Sequence, residues 1–277
     1  MAKLMFHVRH NARPDLVKEI LLIIEGGKIV SIDDILEIGK HKGYQIGTTL
    51  RSIQSIKENP LQTARDLGLI SYDELTLTDF GIEMVNLLHF KPTAFNELMH
   101  IFHYILWNPE RKTENCFSWS YSTVSDLLWE CRTCEIDRGQ LVSQVSEMAI
   151  EKFHTNGVSF SKDSVRGVLQ WLYDLEPSVL DNKKKIFSRR NFCPPETFVI
   201  AVEHLYKIEG ADYQTNLLLD NNKQETICKA CFLEPTAFDT VFDWAVGQYN
   251  FLKRGTGGGW GSYVLLSRKP RISDFLG

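Results

Sequence analysis

The sequence predicts a mainly α-helical protein with short β-hairpins, built as tandem winged-helix (helix-turn-helix) units around a helical middle. Three observations carry that prediction. Residues 31–81 order a short helix, a glycine turn at Gly43, a polar-faced helix, an apolar strand, the acidic turn Tyr72-Asp-Glu74, a second strand and a new helix start. That is the element order of a helix-turn-helix with a two-stranded wing. Residues 160–190 repeat the order in degenerate form, with the basic turn Asn182-Lys-Lys-Lys185 between short strands. Residues 194–266 run through helices into a hairpin around Gly255-Thr-Gly-Gly-Gly259, since a Gly-rich loop between apolar strands is a hairpin signal. The likeness among the three lies in element order, because no exact repeat underlies it. The predicted boundaries are residues 1–90 for an N-terminal winged helix, 91–192 for a helical middle with a degenerate winged helix, and 193–277 for a C-terminal winged-helix-like unit.

Each element has a local reason. Apolar residues at Leu16, Ile20, Ile23 and Ile24 have helical spacing, Pro14-Asp15 suits a helix start, and Gly26-Gly27 suits its end. Ser31 is a good N-cap, with Asp33 and Asp34 in the first turn where negative charge is favoured. A third helix is expected over residues 47–57, with Leu50, Ile53 and Ile56 inward and a break at Asn59-Pro60. A helix from Gly81 to His89 is followed by one from Phe95 to Trp107 that is apolar nearly all round, hence buried. Residues 116–119 read as a loop, 122–129 and 138–153 as helices. Ser161 caps a helix with the stripe Val165, Val168, Leu169 and Leu172. Further helices are expected over 194–208, 223–233 and 234–248, with a tail less ordered at its end.

Composition bounds the function. At 277 residues the chain suits about two domains with a core in each. Hydrophobic content of 43% and charged content of 24% are ordinary for a soluble globular protein. No apolar run reaches the roughly 18 residues of a membrane span, and no signal peptide is expected, so the expected location is cytoplasmic. The net charge is −4 and the pI about 6.1, whereas a dedicated nucleic-acid binder is more often basic. Bulk electrostatics therefore do not hold this chain to DNA, and a partner protein is expected to share the work. The six cysteines are expected as reduced thiols.

The candidate DNA-binding residues fall in three groups. Thr48, Thr49, Arg51, Gln54 and Lys57 occupy the outer face of the predicted recognition helix, with hydroxyl, amide and cationic groups suited to phosphates and base edges. Winged helices also serve as protein-docking modules, and two cations make a thin basic face. Lys183, Lys184, Lys185, Arg189 and Arg190 form a basic wing, although a solvated loop explains the same run. Lys253 and Arg254 flank the C-terminal hairpin. Its glycines do not form a nucleotide loop, because a Walker or dinucleotide loop needs a helix after it and a strand follows here. Two C-x-x-C pairs, Cys131/Cys134 and Cys228/Cys231, stand too far apart in sequence for a usual zinc ribbon, and buried free thiols are the plainer account. His100 and His103 lie in an apolar helix with no glutamate between them, as core histidines do. No metal, cofactor or catalytic residue is expected.

Several short motifs resemble an uncharacterised bacterial family whose genes sit beside phosphoadenosine-phosphosulfate-reductase-like genes in DNA-modification and anti-phage islands. They are Leu75-Thr-Leu-Thr-Asp-Phe-Gly81, Trp107-Asn-Pro-Glu-Arg111, Val158-Ser-Phe-Ser-Lys-Asp-Ser164 and Pro194-Pro-Glu-Thr-Phe198. Phe6-His-Val-Arg-His-Asn11 distantly echoes the family's His-Glu-Thr-Phe-like opening. The resemblance implies a non-catalytic DNA-binding or adaptor subunit of a defence or modification complex, with double-stranded DNA and other subunits as partners. A winged-helix transcription regulator and a purely structural protein-interaction subunit are the alternatives.

Overall fold

The structure, a computed structural model, describes residues 4–27, 29–48, 52–257 and 261–277. It is mainly helical with small antiparallel sheets. An extended arm, residues 4–9, leads into α1 (Pro14–Glu25) and α2 (Ile32–His41). Ser31 and Asp34 cap α2 reciprocally, with Asp34 N–H donating to Ser31 Oγ at 3.2 Å and Ser31 N–H donating to Asp34 Oδ2 at 2.9 Å. The turn after α2 is so close that a Cβ on Gly47 would lie 2.5 Å from the Lys40 backbone nitrogen. Helix α3 is only Gln45–Thr48.

The helix expected over 47–57 is therefore not continuous. Ser52 has extended φ/ψ of −129/144° and starts a new helix, α4 (Ile53–Ile56), by accepting from Ser55 N–H. Nor does Pro60 end that helix. A π-turn over Lys57–Leu61 takes up the proline, and the helix runs on as α5 (Gln62–Asp66). Widening the turn removes the clash between the proline ring and the preceding turn, and Asn59 Nδ2 donates to the Ser55 carbonyl at 3.0 Å. Gly68, at φ +72°, closes the helix. The two strands that follow meet in one antiparallel bridge, Ile70 with Leu77. Thr78 then caps α6 (Asp79–Phe90), whose Gly81 lies so close to the strand that a Cβ would sit 2.0 Å from the Leu69 carbonyl oxygen.

Helix α7 (Pro92–Ile105) is the axis of the molecule, packing on α6, α8 (Cys116–Glu130), α10 (Lys162–Tyr173), α11 (Pro195–Ile208) and α12 (Asn221–Cys231). Residues 116–119, expected as a loop, are the first turn of α8. The hydroxyls of Ser120, Thr123 and Ser125 each donate to the carbonyl four residues back, at 3.2, 2.8 and 2.9 Å. A serine-rich helix can then be buried with no hydroxyl unpaired. After α8 come β1 (Thr133–Glu135), α9 (Arg138–Phe153), α10 and β2 (Ile186–Ser188). Phe187 in β2 is flanked by Cys134 on one side and Leu180 on the other, so the last strand lies between the first two.

The C-terminal part orders α11, β3 (Leu217–Leu218), α12, α13 (Phe238–Gln248), β4 (Leu252–Gly257) and β5 (Gly261–Leu266). The strand order is β3-β5-β4, again with the last strand central. The tail is held, contrary to expectation. Phe275 is buried against Tyr249 with ring centroids 5.4 Å apart, and Arg268 binds both carboxylate oxygens of Asp274 at 2.7 Å. One continuous apolar core runs through all of these parts.

Candidate nucleic-acid interface

The predicted N-terminal helix-turn-helix comes first. Glu19 on α1 accepts from Gln45 N–H and Ile46 N–H at 2.8 and 2.7 Å, so a carboxylate already occupies the amino end of α3. Thr48 is the last residue of that helix, and Thr49 and Arg51 lie outside the described residues. Gln54 and Lys57 are exposed on the next helical stretch. Gln54 donates to Glu58, whereas Lys57 has no ionic partner among the described residues. The predicted recognition face is thus split by the extended Ser52. An exposed basic cluster, Lys40-His41-Lys42 at the end of α2, escaped the sequence reading because it was absorbed into the turn.

The basic wing divides in two. Lys183 and Lys185 are exposed at the turn between Leu180 and β2. Lys184 points inward: its Nζ donates to Gln170 Oε1 at 2.6 Å and sits 4.1 Å from the Tyr173 ring centre. Burial lowers its pKa. Arg189 stacks on Trp129, 3.5 Å from the ring centre, and donates to the Trp129 carbonyl at 2.7 Å. Arg190 is 1% exposed and grips Glu97, itself fully buried, through bonds of 2.7 and 2.8 Å. Arg189 also pairs with Glu234 at 3.4 Å, and Arg190 is corrected from a phosphate contact to a structural cation. A side chain whose donors are all committed inside the core reaches no phosphate.

The third group divides likewise. Lys253 is exposed, but Arg254 donates to Asp239 at 2.5 Å and Asp243 at 2.8 Å on α13, over the Phe242 ring. The outer face of α13 carries Asp239, Asp243 and Trp244, the last 61% exposed, with both carboxylates paired to Arg254. Helix α10 is covered by the N-terminal arm. A Cβ on Gly167 would lie 2.7 Å from the Val8 carbonyl, and His7 Nδ1 is 2.7 Å from Ser164 Oγ. Arg9 of the same arm reaches Asp66 on α5 at 2.5 Å and so ties the first helices to the middle ones.

The cysteines and histidines settle into structural places. Cys131 and Cys134 form a disulfide, which corrects the expectation of reduced thiols for that pair, and they stand past the end of α8 rather than within a helix. Cys116, Cys193, Cys228 and Cys231 are free and buried. No group of three or more metal-ligating side chains occurs among the described residues. His100 accepts from Tyr121 OH at 3.0 Å and donates to the Ala230 carbonyl at 2.9 Å. His103 donates to the Met99 carbonyl at 2.8 Å. Burial pushes their pKa values down to about 4 and about 3, so both are neutral hydrogen-bonding core groups at pH 7.

No family model, curated protein or solved structure matches this chain. Among the described residues no helix is long and apolar enough to cross a membrane.

Proposed function

We propose that the chain is a non-catalytic adaptor subunit of a multi-protein assembly, made of three winged-helix units, that engages double-stranded DNA through its free lysines. The single observation that carries this reading is the recurring topology. In the middle and at the C-terminus the order is helix, strand, helix, helix, hairpin, with the last strand between the other two. A winged helix has this topology, which supports the reading, and the first helices with the Ile70–Leu77 bridge are read as a helix-turn-helix with a minimal wing. In this reading Lys57, Lys183, Lys185 and Lys253 are the predicted cations left free for phosphates, joined by Lys40 and Lys42. The setting in a prokaryotic DNA-modification or anti-phage system rests on the resemblance of the short motifs alone.

The protein-interaction half of the proposal has its own support. In a winged helix the helix before the hairpin faces the major groove. Here α10 is capped by the arm and α13 presents an exposed tryptophan beside carboxylates already paired with Arg254, a surface suited to protein. The experiment is a fluorescence-anisotropy titration of a DNA duplex at a series of salt concentrations. Salt-sensitive binding that weakens in Lys57→Ala supports the reading. Absent or salt-insensitive binding removes the DNA half and leaves the interaction subunit.

A further inference from the structure

Where the C-terminal ends of α7 and α11 meet α8 and α9, the surface opens into a cavity of about 530 Å³. Its walls include Tyr104, Trp107 and Trp119, and its polar groups include Asp126, His204 and Lys152. None of these enters the DNA-binding reading. The volume lies in the range of small-molecule sites, and aromatic walls with a few convergent polar groups are the usual make-up of such sites.

The hydrogen-bond inventory defines what fits. Tyr104 OH donates to Asp126 Oδ1 at 2.6 Å. The hydroxyls of Ser122 and Thr123 donate to the Trp119 carbonyl at 3.0 and 2.8 Å. The hydroxyl hydrogens are thus committed, and what the floor offers a ligand is acceptor capacity, above all Asp126 Oδ2, which has no donor among the described residues. The ring nitrogens of His204 have no hydrogen-bond partner among the described residues either. Lys152 stands 4.6 Å from the centre of the Trp107 ring and has no carboxylate partner among the described residues. Glu130 and Lys229, also in the lining, are paired with each other at 2.6 Å, and a flat ligand with adjacent donors for Asp126, an acceptor for a neutral histidine and an anionic group for Lys152 answers these three groups.

Among nucleobases only guanine presents two adjacent donors, N1–H and the N2 amino group, on its Watson–Crick edge. Adenine and cytosine set a ring acceptor beside their amino group, which would face the carboxylate, and uracil has one donor between two carbonyls. We propose that this cavity is a guanine-nucleotide site, in which Asp126 accepts from the base, the aromatic walls cover its faces and Lys152 meets phosphate.

The test is isothermal titration of the full chain with GMP, AMP, CMP and UMP, with Asp126→Asn as the variant. An asparagine amide would set its own donor against the guanine donors. The expected result is GMP binding that the other nucleotides show at least about tenfold more weakly, and that Asp126→Asn loses by about tenfold or more. The variant's cooperative melt and unchanged duplex-DNA anisotropy show that it is folded and separate this site from the DNA surface. Displacement of GMP by a dG-containing single strand, and not by a strand of dT, would identify a strand base as the source; no displacement would identify the free nucleotide. Absence of GMP heat at millimolar concentration, equal binding of all four nucleotides, or full GMP affinity in Asp126→Asn would overturn the proposal.

Discussion

Arg190 is the residue on which the largest number of separate strands of chain converge. Its guanidinium holds Glu97 of α7 and also donates to the Cys231 carbonyl at 2.8 Å and the Glu176 carbonyl at 3.3 Å. Glu97 accepts in addition from Glu176 N–H at 2.8 Å and Thr197 Oγ1 at 3.1 Å. The charge beside it holds the Glu97 carboxyl below its usual range despite burial. Removing one partner strands the other charge in the core. Arg190→Met is expected to cost about 3–5 kcal/mol in urea unfolding, and the double variant with Glu97→Leu less than the sum of the singles.

Buried titratable groups also set the pH response. His100, His103 and His204 have folded pKa values lowered by burial to about 4, about 3 and about 4. Between those values and about 6.5 the unfolded chain binds more protons, so stability falls as pH drops below about 6.5. Asp126 acts oppositely: burial raises it to about 6, so its contribution to stability falls as pH rises from about 4 through 6. Three histidines outweigh one aspartate, and the urea midpoint is expected to fall between pH 7 and pH 4.5. Asp126→Asn is expected to be more stable than the parent by roughly 1–3 kcal/mol at pH 7, with the difference vanishing near pH 4. A parent midpoint that rises on acidification would contradict this assignment.

At the scale of elements, close approaches of backbone to glycine decide the packing. Gly167 lets the arm lie on α10, so Gly167→Ala is expected to cost about 1–3 kcal/mol and to loosen the arm. Limited trypsinolysis should then cut after Arg9 faster than in the parent, where Arg9 is held by Asp66. An unchanged cutting rate would mean that the arm is fixed by other contacts. Elements were largely legible from sequence. The capping boxes at Ser31 and Ser161, the stripe of α10 and the apolar girth of α7 all mark helices that the structure contains. Two misreadings have one cause, in that polar or breaking residues were judged without their partners. Pro60 is accommodated by a π-turn, and in residues 116–119 the Ser118 hydroxyl donates to the His103 carbonyl of α7 at 2.6 Å.

At the scale of the whole molecule, the net charge of −4 fits a protein that meets DNA at a small patch. If the six free lysines carry the contact, the slope of log K against log salt should be about −5, and Lys57→Ala and the pair Lys183→Ala/Lys185→Ala should each flatten it by about 1 per lysine. Arg190→Met, at conditions where it is folded, should leave the slope unchanged. A steeper slope or one carried by Arg189 and Arg190 would contradict the division of the cations.

What the sequence determined by itself is the mainly helical class, most of the helices and the C-terminal hairpin, because caps, periodicity and turn residues act over a few neighbours. Which cations are free was decided only by the tertiary structure. Arg189, Arg190 and Arg254 look like Lys183, Lys185 and Lys253 in the chain, yet the former meet Trp129, Glu97 and the α13 carboxylates across 60, 93 and 11–15 residues of sequence. The cavity at Asp126 was equally hidden, since its walls come from five helices that only tertiary packing brings together. A charge is read from one residue, but its availability depends on partners that folding supplies from far away.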